Sequence, residues 1–256
     1  MSQQILFEQP LNDRIRLLLR LEHFFAETES FIKQDEPIVH QGCLFALAEI
    51  LTILSKNEFR SELIKELEKN VSHLSQFISL PSVDQQKLQS AISETQSHLN
   101  FLYQQAGQFQ KLLPSSDLLN NIKQRINLVS YPCHLDIAGA TYWINQPQFV
   151  KQQQLNHWLS PIKPIHNCIT MLLDHIRSSA IFENQSTHKG FFQRNLEMGT
   201  TYQLVRILAP QSIHAYPEIT GGKHRVHVRF LSLSEQSAKA ESIQHTVDFH
   251  IAFCKV

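Results

Sequence analysis

The sequence predicts an α+β protein: an N-terminal helical domain followed by an antiparallel β domain that carries an inserted helix. Three observations predict it. Apolar residues recur at helical spacing from Asp13 to about Leu128. Beyond Tyr131-Pro132, short runs alternate apolar and polar residues, which is the period of half-buried strands. Among these runs a helical pattern returns over about 148–181. The expected domains are therefore 1–130, mainly helical, and 131–256, β-rich with that insertion.

Each element has a local reason. Asn12 caps a helix that begins at Asp13 and lines Ile15, Leu18, Leu21 and Phe25 along one stripe. Pro37 precedes "IVHQGCLFALAEILTILSK", apolar enough for a largely buried helix. In "NEFRSELIKELEKNVSHLSQFISL", Leu63, Leu67, Leu74 and Phe77 or Ile78 face inward, and Pro81 ends the helix. Its Glu62–Lys65 and Glu66–Lys69 pairs sit three apart on the solvent side. Ser82 or Asp84 starts a Gln-rich helix running to about Gln105, and Ser115 or Ser116 caps another to about Leu128.

"HLDIAGATYWIN", 134–145, reads as a strand pair turning at Ala138-Gly139. Pro161 and Pro164 break or kink the helical segment that follows. The strand-like runs are "HKGFFQRN", "TYQLVRIL", "IHAYPEI", "HRVHVRFLSL" and "HTVDFHIAF". Thr220-Gly221-Gly222 marks a turn among them.

Composition narrows the function. Lys+Arg and Asp+Glu are both 23, so an extended polyanion-binding surface is disfavoured and any basic site is local. Cys43, Cys133, Cys168 and Cys254 form no C-x-x-C pair and read as small buried thiols in a reducing compartment. The N-terminus lacks a signal-peptide pattern, and no segment approaches the roughly 20 apolar residues that span a bilayer. The expectation is a soluble cytoplasmic chain with no membrane insertion.

With 7 glycines the chain has no Walker-type or dinucleotide loop, and no G-x-S-x-G elbow. The 14 histidines include no H-E-x-x-H, and His224 and His227 on a strand point to opposite faces. The carboxylates Glu27/Glu29 and Asp35/Glu36 lie at helix ends or in loops, where solvation explains them. No catalytic residue, cofactor or metal is expected.

Basic residues are patterned. In "GGKHRVHVRF", 221–230, a strand points Lys223, Arg225, His227 and Arg229 to one face and His224, Val226, Val228 and Phe230 to the other. Arg225 and Arg229 stand about 13 Å apart at roughly 3.3 Å per residue, which suits a short peptide's carboxylates or a few phosphates. Arg16 and Arg20 share a helix face, and Lys56 and Arg60 repeat the spacing. The stripe is a local anion receptor with apolar residues behind it.

"ILFEQPLNDRIRLLLRLE" at 5–22, "NEFRSELIKELEK" at 57–69, "GQF" at 107–109 and "IKQRINL" at 122–128 resemble ZapD, the Z-ring-associated protein D family. "GFFQ" at 190–193, "YPEITGGKHRVHVRF" at 216–230 and "DFHIAFC" at 248–254 continue the match in the same order. The resemblance implies a non-enzymatic homodimer that binds the C-terminal tail of FtsZ, the tubulin-like division GTPase. It also implies cross-linking of FtsZ filaments at the midcell division site. That tail is short, mixed hydrophobic and charged, and ends in a carboxylate.

Arg225 and Arg229, with Lys223 beside them, match the family's strand arginines, and Arg16 and Arg20 match those of the opening block. Arg60 is retained, whereas Lys56 stands where relatives can carry Arg, so the charge is kept without the bidentate fork. Near Ser116-Asp117, where relatives can carry Arg, this chain is acidic. A nucleic-acid binder using the same basic strand face is the alternative, to be separated by partner preference and salt dependence.

Overall fold

The computed structural model describes residues 3–31, 37–80, 83–126, 137–222, 224–233 and 239–255. Lys223, Cys133, Asp35, Glu36, Pro81, Ser82, Tyr131-Pro132 and the segments 127–130 and 134–136 lie outside them. The chain forms two compact units, one of residues 1–17 with 173–256 and the other of 18–172.

The first unit is built from two antiparallel sheets. One runs β1 (Gln4–Pro10), β4 (Tyr202–Pro210), β8 (Asp248–Lys255), β2 (Glu183–Ser186). The other runs β3 (Phe191–Asn195), β6 (Arg225–Leu233), β5 (Tyr216–Gly221), with β7 (Ala240–Ser242) also on β6. The strand period decides what is buried. Val226, Val228 and Phe230 from β6 meet Val205, Ile207 and Ala209 from β4 and Phe249 and Ile251 from β8, all at most 2% exposed. Phe249 contacts rings from the other sheet on two sides, Phe230 at 5.3 Å and Phe192 at 5.4 Å. This core is why the outward residues of β6 are held in a fixed row.

The division does not fall at residue 130. β1 pairs with β4 from Gln4↔Pro210 to Pro10↔Leu204, which places the N-terminal strand in the β unit. Glu8 on β1 reinforces this pairing by accepting from Arg206 Nε at 2.8 Å and from Arg177 Nη2 at 2.9 Å. The helical residues 138–172 belong to the helical unit rather than standing as an insertion within the β unit.

Helix α1 (Asp13–Phe31) begins where Asn12 Oδ1 accepts from Ile15 N at 3.0 Å, the expected cap. Its stripe of Ile15, Leu18, Leu21 and Phe25 is buried. In the helical unit, α2 (Pro37–Leu54) buries residues on most sides, among them Cys43, Leu44, Ala46 and Ala48. α3 (Phe59–Ser75) and α4 (Gln85–Gln104) follow, with Asp84 capping α4 through Lys87 N at 3.1 Å. Leu63 and Leu67 are buried as expected, whereas Ile78 is half exposed. Both ion pairs on α3 form, but Glu66 is buried while its partner Lys69 stays exposed.

A short α5 (Phe109–Leu112) precedes α6 (Asp117–Ile126). Ala138–Ile144 is helix α7, not the strand pair its Thr-Tyr-Trp-Ile content suggested. The reason is burial at helical spacing: Ala140, Trp143 and Ile144 turn inward together, and Gly139 needs no left-handed backbone. The interrupted helix is as expected. α8 (Gln148–Leu159) ends in a 3-10 turn at 160–162 containing Pro161, and α9 (Lys163–Ser178) takes Pro164 in its first turn.

Candidate functional site: the outer face of strand β6

Strand register places the residues beside the arginine stripe. Across β6, β3 pairs Phe191↔Arg229, Gln193↔His227 and Asn195↔Arg225. On the other side β5 pairs Glu218↔Arg229 and Thr220↔His227. All of these share the face opposite the buried Val226, Val228 and Phe230. From Arg225 to Phe230 the alternation read from the sequence is the observed one, with Arg225 and Arg229 exposed and His227 half-buried, whereas His224 stands before the strand and is exposed, and Lys223 lies outside the described residues.

Arg225 Nε donates to Asn195 Oδ1 at 3.0 Å, which orients the guanidinium and leaves its terminal nitrogens without a partner among the described residues. The Arg229 guanidinium makes no hydrogen bond or ion pair among the described residues. The face is thus positive and unsatisfied, tempered by the Glu218 carboxylate across from Arg229. Undercommitted guanidiniums, that of Arg225 oriented by Asn195, suit bidentate binding of carboxylate or phosphate.

The other predicted basic residues have different surroundings. Arg16 is exposed in the first turn of α1 and bonded to Asp13. Arg20 is bonded to Glu49 Oε2 at 2.7 Å and lies 5.2 Å from the Phe24 ring centroid. Lys56 is exposed in the turn between α2 and α3, where its carbonyl accepts from Phe59 N at 3.1 Å. Arg60 Nε donates to the Leu102 carbonyl at 2.8 Å, satisfying an end group of α4. Arg20 and Arg60 are thus partly committed inside the helical unit, as Arg225 is to Asn195, whereas the Arg229 guanidinium has no partner among the described residues.

Sequence reasoning missed Phe191, Asn195 and Glu218. The alternation in "FFQRN" carries a signal for the first two, but the pairing that sets them beside Arg229 and Arg225 depends on register. A type I′ turn starts β3, and Phe230 N on β6 donates to the turn's Gly190 carbonyl at 2.8 Å, which ties the turn to that register. Lys189 and Gly190 have φ of 49° and 74°, and His188 and Phe191 exchange bonds at 2.9 and 3.0 Å.

Next to the start of β6, a cleft of about 500 Å³ is lined by Leu11, Asn12, Leu196, Met198, Tyr202 and His224, among others. Cys43 and Cys168 are buried, and burial pushes each thiol up to about 12, so neither supplies a thiolate near neutral pH. No helix among the described residues is long and apolar enough to cross a membrane.

Comparison with known proteins gives this arrangement a context. The family model described as "ZapD: Cell division protein" matches residues 19–229, a span that includes Arg20, Lys56, Arg60, Arg225 and Arg229. The chain is 30% identical over 252 residues to the cell division protein ZapD of Dechloromonas aromatica, covering 98% of this chain and all of that one. It is 31% identical over 260 residues to ZapD of Shigella flexneri, covering 99% and 100%. ZapD of Coxiella burnetii is 28% identical over 253 residues, covering 98% of each chain. This chain belongs to the ZapD family of cell division proteins.

Proposed function

We propose that this chain is a non-enzymatic division factor that binds the C-terminal tail of FtsZ and, as a homodimer, cross-links FtsZ filaments at midcell in the cytoplasm. The observation that carries the reading is the pair of exposed guanidiniums on β6, one oriented by Asn195 and the other unpaired among the described residues. A short tail that mixes apolar and charged groups and ends in a carboxylate complements such a face. Arg225 and Arg229 are the principal contacts, with Lys223 beside them. Arg16, Arg20, Lys56 and Arg60 are assigned as further tail contacts, and Lys56 makes no ion pair among the described residues. Cross-linking needs two tail sites in one assembly. A two-fold dimer supplies them, and avidity then compensates for a weak single site.

The test is a titration of the C-terminal peptide of the same organism's FtsZ, run beside a DNA duplex. Arg225→Glu or Arg229→Glu should each cost about 2–5 kcal/mol of peptide binding, by replacing an attraction with a repulsion. Circular dichroism should stay unchanged, because both side chains leave the buried face of β6. Binding should weaken but persist from low to physiological salt, since apolar contacts are not screened. Tighter binding of the duplex, with a steep log-linear salt dependence, would replace this reading with nucleic-acid binding.

A further inference from the structure

The face that carries the two arginines is not uniform along its length. At the Arg225 end the cross-strand neighbour is the Asn195 amide, which orients the guanidinium. At the Arg229 end the neighbours are the Phe191 ring on one side and the Glu218 carboxylate on the other. Phe191 is 39% exposed, a large apolar surface to leave in water beside a free cation. It does not belong to the core cluster, which its neighbour Phe192 joins from the opposite face. Its ring lies 5.7 Å from the imidazole of His227, the residue between the two arginines on β6, at an interplanar angle of 33°.

Phe191 is also held in place. Its backbone closes the two-residue turn through Lys189 and Gly190, and Phe230 N donates to the Gly190 carbonyl at 2.8 Å. Gly190 itself lies so close to Ile243 that a Cβ there would fall 2.4 Å from the Ile243 carbonyl oxygen. An exposed aromatic fixed by a turn that tolerates so little change is preorganised for contact, which lowers the entropy lost on binding.

Resting on the reading of β6 as the tail receptor, we infer that Phe191 is the apolar subsite of that receptor, taking an aliphatic or aromatic side chain of the tail beside the group held by Arg229. The geometry sets the spacing. Directly opposed residues in an antiparallel pair have Cα atoms about 4.5–5.5 Å apart. One extended peptide therefore reaches both Phe191 and Arg229 with an apolar and an acidic side chain about two residues apart. Glu218 lowers the positive field at this end, so the terminal carboxylate goes to Arg225, where no acid stands opposite. The face then reads the order of groups in the tail as well as its charge.

The experiment is a double-mutant cycle by peptide titration on the full chain. The variants are Phe191→Ala, Phe191→Leu and Arg229→Glu. The probes are the parent tail peptide and a peptide whose apolar side chains are replaced by serine. Phe191→Ala should weaken the parent peptide about fivefold or more, as expected for loss of an aromatic anchor. It should change the serine peptide by less than about twofold. Phe191→Leu, which keeps apolar area, should retain most of the affinity. If Arg229→Glu removes binding while Phe191→Ala binds both peptides as the parent does, the subsite is wrong and the tail receptor stands. Equal weakening of both peptides by Phe191→Ala also overturns the subsite, since the ring then acts without meeting the apolar groups. If the unmodified chain fails to bind the parent peptide, the receptor reading falls and the subsite falls with it.

Discussion

Gly190→Ala should be the most damaging single-methyl change in the β unit, and two other glycines separate its causes. Gly190 has φ of +74°, and a Cβ built there meets Ile243 O at 2.4 Å and Ile243 Cγ1 at 2.7 Å. Ile243 is 7% exposed and its N–H is bonded to the Phe230 carbonyl at 3.1 Å, so its backbone has little room to move. Left-handed backbone costs an L-residue about 1–2 kcal/mol, and forcing extra volume into packed structure about 1–3 more. The combined cost is about 2–5 kcal/mol, which lowers the melting temperature by roughly 5–15 °C for a chain of this size. Gly107 has φ of +72° with nothing within 4 Å of its Cβ position, so Gly107→Ala carries the strain alone. Its cost should be near 1 kcal/mol, because a stiffer unfolded chain offsets part of it. Gly222 has neither strain nor a close neighbour, and Gly222→Ala should be neutral or slightly stabilising. Differential scanning calorimetry of the three variants gives the ranking. A Gly190→Ala protein melting within about a degree of the parent would refute the reasoning that the turn and its contact with Ile243 fix Phe191.

Glu8 is 18% exposed and accepts from both Arg177 and Arg206, so Glu8→Ala leaves two half-buried guanidiniums without their shared carboxylate. The cost should be about 2–3 kcal/mol in urea denaturation, below the fully buried case because the cluster is partly wet. His166 stacks on Phe25 at 4.3 Å, and desolvation lowers its pKa below the ordinary 6.5, with Glu29 opposing the shift. The unfolded chain therefore binds this proton first. The resulting stability is complete above about pH 6.5 and is lost as pH falls through that value toward the folded pKa. His166→Phe should flatten this part of the stability profile measured by urea titration between pH 7.5 and 5.5, leaving the residual slope to groups such as His98, which desolvation shifts the same way.

Much of the fold was legible where the signal is local. The Asn12 cap, the stripe of α1 and the alternation of β6 each follow from neighbours a few residues away, and each is as expected. The strand β1 was not legible because its partner β4 lies some 200 residues on, and its own burial pattern marks no clear inner face. The segment 138–144 misled through its β-favouring residues, although Ala140, Trp143 and Ile144 already carried the helical interval. At the candidate site, alternation gave the direction of Arg225 and Arg229 but not their neighbours. Asn195, Phe191 and Glu218 reach them through strand register, and Glu49 and Leu102 reach Arg20 and Arg60 through helix packing. None of these partners follows from spacing within one segment.

The central claim, that the chain links FtsZ filaments by their tails, is tested most directly by sedimentation of assembled FtsZ. Full-length FtsZ and FtsZ lacking its C-terminal tail are compared, each with the parent chain and with Arg225→Glu. The account predicts that the parent pellets bundles of full-length filaments at low speed, that removal of the tail abolishes this, and that Arg225→Glu abolishes it with the tail present. Equal bundling of tail-less filaments by the parent would contradict it.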